Sequence, residues 1–235
     1  MSDSQAQLSQ KRYLIGSVLS PAVQLWLRSQ TEQVDRLEVN IAGRNGEILN
    51  GYIPSISIGA GGVVYRGLHL SQLDIKGENI RINFPQILKG KPLRLLEPIS
   101  VKARLQLNEL DFNASLGSQL LEDAVREFFE PLLPYPIHLS SSRLELETDH
   151  LILTVTEPQT MILKMGVKLT RHDKIVLVHP QLQTTTIPPV SMPLDDIEFD
   201  LGSDIFIEEL TLSDRQLSCR GSIVVQTNED VIDNS

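Results

Sequence analysis

The side chains that most often bind metals or carry out catalysis are few in this sequence and widely spaced. No two of the five histidines have the i, i+4 spacing of a helical HExxH zinc motif. The single cysteine, Cys219, is distant from every histidine along the chain. We therefore expect no metal site and no cofactor, with Cys219 acting as a small buried hydrophobic residue. The histidines are His69, His138, His150, His172 and His179.

Motifs for nucleophilic or phosphate chemistry are also missing from the sequence. It contains neither a GxSxG nucleophile elbow nor a Walker-type phosphate loop. The glycine run GAGG at residues 59–62 lacks the Lys-Ser/Thr that completes such a loop, so it predicts a flexible hairpin or a bulge. The pair Asp195-Asp196 has no accompanying base, metal ligand or nucleophile, which favours a solvated loop. The sequence thus predicts a protein that is not an enzyme.

Composition and charge exclude further classes of function. The chain has 235 residues, of which 41% are hydrophobic and 22% charged, as is typical of globular proteins. Its formal net charge of −9 argues against a nucleic-acid partner, because phosphate backbones bind basic surfaces. One cysteine excludes an internal disulfide and suits a reducing compartment. With no signal-peptide pattern and no long apolar stretch, we expect a cytoplasmic protein, or one attached only to a membrane surface.

Positive charge is concentrated in one segment of this acidic protein. Residues 76–104 carry seven basic and two acidic side chains, whereas residues 195–235 carry eleven acidic and two basic ones. Within the basic segment, FPQILKGKPLRLLEP mixes cations with leucines, a combination that anionic lipid surfaces attract. The alternative is a solvated loop whose leucines pack on the core. The cations that we expect to meet phosphate headgroups or a membrane are Arg81, Lys89, Lys91 and Arg94.

Two amphipathic helices are predicted from the 3–4 spacing of apolar residues. The first pattern begins at Leu14 and fades after Gln33, and Ser20-Pro21 is either the start of the helix or a kink within it. The second helix is predicted within residues 115–133, where Ser115 or Ser118 can cap its start and Pro131 and Pro134 end it. Aromatic residues make up only 5% of the chain, and such aliphatic faces suit acyl chains as well as an ordinary core. The helix residues proposed to line an acyl-chain site are Leu25, Trp26, Leu121, Val125, Phe128 and Phe129.

Most of the remaining chain alternates as β-strands do, and three of these stretches change phase midway. They are LHLSQLDI at 68–75, LQLNELDF at 105–112 and IFIEELTL at 205–212. Such a strand either turns its second half to the other face of the sheet or absorbs an extra residue in a bulge. Leucine, isoleucine and acidic residues are common in strands, so chance is the alternative explanation. We predict an α+β fold, in which a strongly curved, bulged antiparallel sheet packs around one or both helices.

Longer phrases of the sequence resemble a known family. They are SPAVQLWLRSQTEQVDRLEVNIAG, GLHLSQLDIKGENIRIN, GKPLRLLEPISV and LNELDFNASLGSQLL. Over roughly residues 14–225 the chain resembles the cyanobacterial branch of the LmeA-like phospholipid-binding family. The resemblance implies a long helix in a curved antiparallel sheet, similar to tubular lipid-binding proteins, and phospholipid binding without catalysis. The actinobacterial members carry a signal peptide that this sequence lacks, so their envelope location is not carried over.

These observations lead to one expected domain and two hypotheses for its function. We expect a disordered N-terminus at 1–11, a single lipid-binding-like domain at 12–227 and an acidic flexible tail at 228–235. The leading hypothesis is that a phospholipid or other acyl lipid lies between the sheet and the helix faces, with contact to an anionic membrane through residues 76–104. The alternative is a scaffold protein with a filled core, which docks a protein partner through its strand edges.

Overall fold

A computed structural model of the chain describes residues 14–128, 138–157, 160–184, 191–213 and 215–227. These residues form mainly antiparallel strands with a few helices, which confirms the predicted α+β class. The predicted disordered N-terminus and acidic tail lie outside them. The structure has two sheets rather than the one that the sequence predicts.

The first sheet combines strands from both ends of the chain. Its strand order is β1-β2-β3-β4-β12-β11, and every neighbouring pair is antiparallel. The strands are β1 (Gln33–Ala42), β2 (Tyr52–Tyr65), β3 (Leu68–Arg81), β4 (Ile99–Asn108), β11 (Ile205–Ser213) and β12 (Gln216–Val225).

The second sheet is built from the middle of the chain. Its strand order is β10-β8-β7-β6-β5, and the short β9 pairs with β8. The strands are β5 (Ser142–Glu147), β6 (His150–Val155), β7 (Met161–Arg171), β8 (Lys174–Thr184), β9 (Ser191–Pro193) and β10 (Ile197–Asp200).

The helices only partly follow the predicted boundaries. Pro21 lies inside one continuous helix, which settles the two alternatives for Ser20-Pro21. The second helix begins at Gln119, where the Leu121 amide donates to Ser118 Oγ at 3.4 Å, so Ser118 rather than Ser115 is the residue before its start. Residues 129–137 lie outside the described part of the chain. The helices are α1 (Leu14–Ser29), α2 (Asn45–Leu49), α3 (Phe84–Ile87), α4 (Glu109–Ser115) and α5 (Gln119–Phe128).

The three phase changes have three different structural causes. At LHLSQLDI the register of β2 against β3 stays constant, so both strands turn their apolar side chains to the opposite face. At IFIEELTL the register shifts between Ile207 and Glu209, which confirms a bulge. At LQLNELDF the strand prediction was wrong, because β4 ends at Asn108 and α4 begins. Glu109 and Asp111 in its first turn favour a helix start there.

The glycine run at 59–62 was predicted to form a hairpin or bulge, and instead it lies within β2. Gly62 has φ +60°, a conformation that residues with a side chain rarely adopt. A Cβ atom there would lie 2.2 Å from Asp35 Oδ2 on the neighbouring strand. The glycines therefore admit polar side chains of β1 close to the backbone of β2.

Two separate hydrophobic cores stabilise the fold. The first lies where α1, α2 and α3 pack on β1, β2 and β3. The second lies on one face of the second sheet, against Leu116, Leu212 and the partly buried Leu121. Buried members of the first core are Leu19, Val23, Val39, Ile48, Ile53, Ile56, Ile80, Ile82 and Phe84.

Candidate functional site

An apolar surface crosses the centre of the first sheet. Leu73, Leu105, Cys219 and Leu210 are directly opposite one another on β3, β4, β12 and β11, so they share one face. All of them are half-buried. We call this surface the apolar wall, and it consists of Leu73, Ile75, Ala103, Leu105, Ile205, Leu210, Cys219 and Ile223.

The apolar wall lies between the two cores and belongs to neither. On the same face, Leu37 and Ile58 pack against the first core, and Leu217 packs against the second. Among the residues that the structure describes, no member of the wall is buried in either core or packed against it. Ile207 and Val101 lie on the same face and are buried, so the half-buried aliphatic side chains form a patch around them. Such a patch is typical of a surface that receives an apolar ligand.

Cys219 is a member of this wall rather than a fully buried residue. Its exposure is intermediate, and partial burial raises the pKa of its thiol above the ordinary value. Because the thiolate is the reactive form, the raised pKa makes this thiol a slow nucleophile at neutral pH. It is the only cysteine of the chain and therefore a specific position for a chemical probe of the wall.

The helix residues predicted to line a lipid site are not gathered around one cavity by the described structure. Leu25, 72% exposed, and the half-buried Trp26 lie on α1, which adjoins the first core. Leu121 lies on α5 and packs against the second core. The side chains of Val125 and Phe128, and the whole of Phe129, lie outside the described part.

The basic segment is fixed to the first core by a buried asparagine. Asn83 Nδ2 donates to the Pro92 carbonyl oxygen at 2.9 Å, and Asn83 Oδ1 accepts from the Arg94 amide at 2.8 Å. Phe84 is buried, and Leu93 packs on the first core. The alternative interpretation of these apolar residues, as core contacts, is thus confirmed for the residues on the inner side: Phe84, Ile87, Leu93 and Leu95.

The outer side of the same segment presents leucines and cations together. Leu88 is 68% exposed and Leu96 is 56% exposed. Lys89, Lys91 and Arg94 are exposed, and none has an ion pair within 4.0 Å among the described residues. Arg81 differs, because its Nε lies 3.6 Å from Glu97 Oε1 in an exposed pair, and such pairs contribute little to stability.

The described residues that could bind a metal are not grouped into a site, and His172 makes contacts that hold the structure together. The His172 ring stacks on Phe206 with 3.9 Å between ring centroids, and its Nδ1 lies 2.8 Å from the Ile207 carbonyl oxygen beside the bulge of β11. Within the described ranges, no three His, Cys, Asp or Glu side chains are grouped as metal ligands. None of the described helices is both long and apolar enough to cross a bilayer.

The sequence was compared with protein-family models, curated proteins and solved structures. Neither a curated protein nor a solved structure matches the sequence. The family model described as LmeA-like phospholipid-binding matches residues 12–222, which is most of the chain. The match confirms the resemblance found in the sequence, and the chain belongs to the LmeA-like phospholipid-binding family.

Proposed function

We propose that this protein binds phospholipid without converting it, and that acyl chains lie against the apolar wall. The observation that carries the proposal is the half-exposed aliphatic patch between the two cores. Membership of a phospholipid-binding family supports lipid as the ligand. Burial of each acyl CH₂ contributes about 0.8 kcal/mol, so even a short covered stretch of chain gives useful affinity.

The helix residues extend the proposed acyl-chain site at its edges. α1 and α5 adjoin opposite cores, and the wall lies between those cores. Lipid that extends beyond the wall would meet one helix face or the other. The residues proposed for this extension are Leu25, Trp26, Leu121, Val125, Phe128 and Phe129.

The proposed membrane contact is the outer side of the basic segment. Exposed Leu88 and Leu96 insert into the interface, and Lys89, Lys91 and Arg94 meet phosphate groups, with Arg81 at the margin. Each basic residue near an anionic surface contributes about 1 kcal/mol. Contact of the basic segment with the membrane would place the apolar wall close to the phospholipids that it binds.

The test of the proposed function is native mass spectrometry of the full chain before and after organic extraction. Phospholipid at a defined stoichiometry is expected. Adding phospholipid back to the extracted protein should slow the reaction of Cys219 with a thiol reagent, because acyl chains cover the wall. A bare mass, no uptake of fluorescent lipid and an unchanged thiol rate would mean that the protein is a scaffold with a filled core.

The membrane contact predicts a specific effect of charge reversal. Lys89→Glu with Lys91→Glu should weaken binding to vesicles containing phosphatidylglycerol by about tenfold or more, since two attractive charges become repulsive. The difference should shrink as salt rises, because exposed charges are screened. Vesicle co-sedimentation at two salt concentrations measures both effects.

The matched control is Lys168→Glu with Arg143→Glu, which reverses two exposed cations on the second sheet. This variant has the same net charge as the test variant but an intact basic segment. Equal weakening by both variants would show that only overall charge matters, and would remove the basic segment from the proposal.

A further inference from the structure

The polar face of the first sheet, opposite the apolar wall, carries a groove of about 560 Å³. Its floor is the backbone of Ile58, Ile75, Ala103 and Gly221, which are successive cross-strand partners on β2, β3, β4 and β12 and whose side chains belong to the other face. The groove therefore runs across the strands. Its sides are the two rows of outward-pointing side chains that flank this line of backbone.

Four cations approach the groove from both sides. Arg104 and Arg220 stand in one row, together with Asp74, which is directly opposite Arg104 on β3. Lys76 and Lys102 stand in the other row. The end of the groove at β1 and β2 is uncharged or acidic, because Asn40 and Ser57 continue one row and Glu38 belongs to the other.

The arrangement of these cations is unfavourable for the sheet alone. Lys76 is directly opposite Lys102, and Arg104 is directly opposite Arg220. Like charges that face each other on neighbouring strands destabilise a sheet. Asp74 offsets the charge of Arg104 in part, whereas the lysine pair is flanked in its row only by Ser57 and Ser222. In a chain of net charge −9, a lysine pair without a facing carboxylate indicates that the positive potential serves a ligand.

The positive charge is only partly neutralised within the protein. Arg220 lies 3.6 Å from Glu208 and 3.1 Å from Glu209, measured between the charged atoms. In the described part of the chain, Lys76, Lys102 and Arg104 have no ion pair within 4.0 Å. An anion seated between the two rows would supply the missing countercharge.

We propose that this groove binds a phosphate-bearing anion, held between Lys76 and Lys102 on one side and Arg104 on the other. The planar guanidinium suits bidentate contact with phosphate oxygens, and the ammonium groups add point charges. Glu38, Asn40 and Ser57 lie farther along the groove, where they can bond hydroxyl groups attached to the phosphate. The ligand class is thus a phosphate ester of a hydroxyl-rich group.

This site is separate from the proposed acyl-chain site. Directly paired residues alternate between the two faces of the sheet, so the groove and the wall are divided by the sheet itself. One phospholipid cannot reach through the sheet to occupy both. The phosphate comes either from a soluble ester or from a headgroup that a membrane presents.

The test uses the extracted full chain and the variant Lys76→Gln with Lys102→Gln. Glycerol phosphate should raise the melting temperature of the wild type and bind measurably by calorimetry. The variant should bind at least tenfold more weakly. Without ligand it should melt at the same temperature as the wild type or higher, because a like-charge pair has been removed. The matched control is Lys168→Gln with Arg143→Gln, and it should bind as the wild type does.

A parallel arm uses vesicles of phosphatidylglycerol in phosphatidylcholine. If the wild type binds glycerol phosphate and the groove variant does not, a soluble ester is a sufficient ligand. No binding of glycerol phosphate, together with vesicle binding that only the groove variant loses, identifies a membrane headgroup. Identical behaviour of variant and wild type in both arms would overturn the proposal. Co-purified phospholipid, measured on the same samples, reports separately on the acyl-chain site.

Discussion

Leu105→Asp is expected to abolish co-purification of phospholipid while the protein stays folded. Leu105 occupies the centre of the apolar wall, directly opposite Leu73 on one side and Cys219 on the other. The change removes an apolar contact of about 1.5–3 kcal/mol and places a carboxylate against the acyl chain. Lipid retention should fall at least about tenfold, as measured by native mass spectrometry and by uptake of fluorescent lipid.

The matched control for this prediction is Leu110→Asp. Leu110 is 83% exposed on α4, so the same chemical change there should leave lipid retention unchanged. Leu105→Met keeps the wall apolar and should also retain lipid. Circular dichroism and melting temperature establish that each variant is folded. If Leu105→Asp carries as much lipid as the wild type, the acyl chains do not lie on this wall.

The fold class could be predicted from the sequence because its signals are local. α1 and α5 each have an apolar face that is visible within one segment, and the strands alternate over short stretches. The outcome of a phase change is not local, because it depends on the neighbouring strand. β2 changes face together with β3 at LHLSQLDI, whereas β11 alone absorbs an extra residue at Glu208.

The apolar wall could not be predicted for the same reason. It exists only because β4 pairs with β12, which places Leu105 opposite Cys219. Register between such distant strands leaves no signal in either segment. Helix faces do leave such a signal, which is why the sequence directed attention to residues such as Trp26 and Leu121.

The charged groove could be predicted only in part from the number of basic and acidic residues in each segment of the sequence. Lys76, Lys102 and Arg104 belong to the segment that was singled out as basic, and Arg220 belongs to the segment counted as acidic. Pairing of β4 with β12 brings Arg220 opposite Arg104. The sequence therefore indicated an excess of positive charge. It did not indicate that Lys76, Lys102 and Arg104 line a groove on β3 and β4, whereas Lys89 and Lys91 lie in the segment between those strands.

The second large effect is expected where the two sheets meet. There the Asn113 side chain bonds to the backbone of the edge strand β5, as a neighbouring strand would. Its Nδ2 donates to the Leu144 carbonyl oxygen at 2.7 Å, and its Oδ1 accepts from the Leu144 amide at 2.8 Å. Glu109 Oε2 accepts from the Leu146 amide at 2.9 Å, and Leu146 in turn accepts from the Arg215 amide at 3.0 Å. The free edge of β5 is thus bonded to α4 and to the turn between β11 and β12.

Asn113→Ala should lower the free energy of unfolding by about 2–4 kcal/mol, because two partly buried backbone groups of Leu144 lose their partners. The melting temperature should fall by roughly 4–16 °C for a chain of this size. Asn113→Asp keeps the acceptor for the amide but sets a carboxylate against the carbonyl oxygen, so it should not restore stability. The matched control is Asn108→Ala, which removes an exposed asparagine at the end of β4, directly before α4. It should change the free energy of unfolding by less than about 1 kcal/mol. Urea unfolding of the three variants decides the matter: if Asn113→Ala is no more harmful than Asn108→Ala, packing alone joins the second sheet to the first.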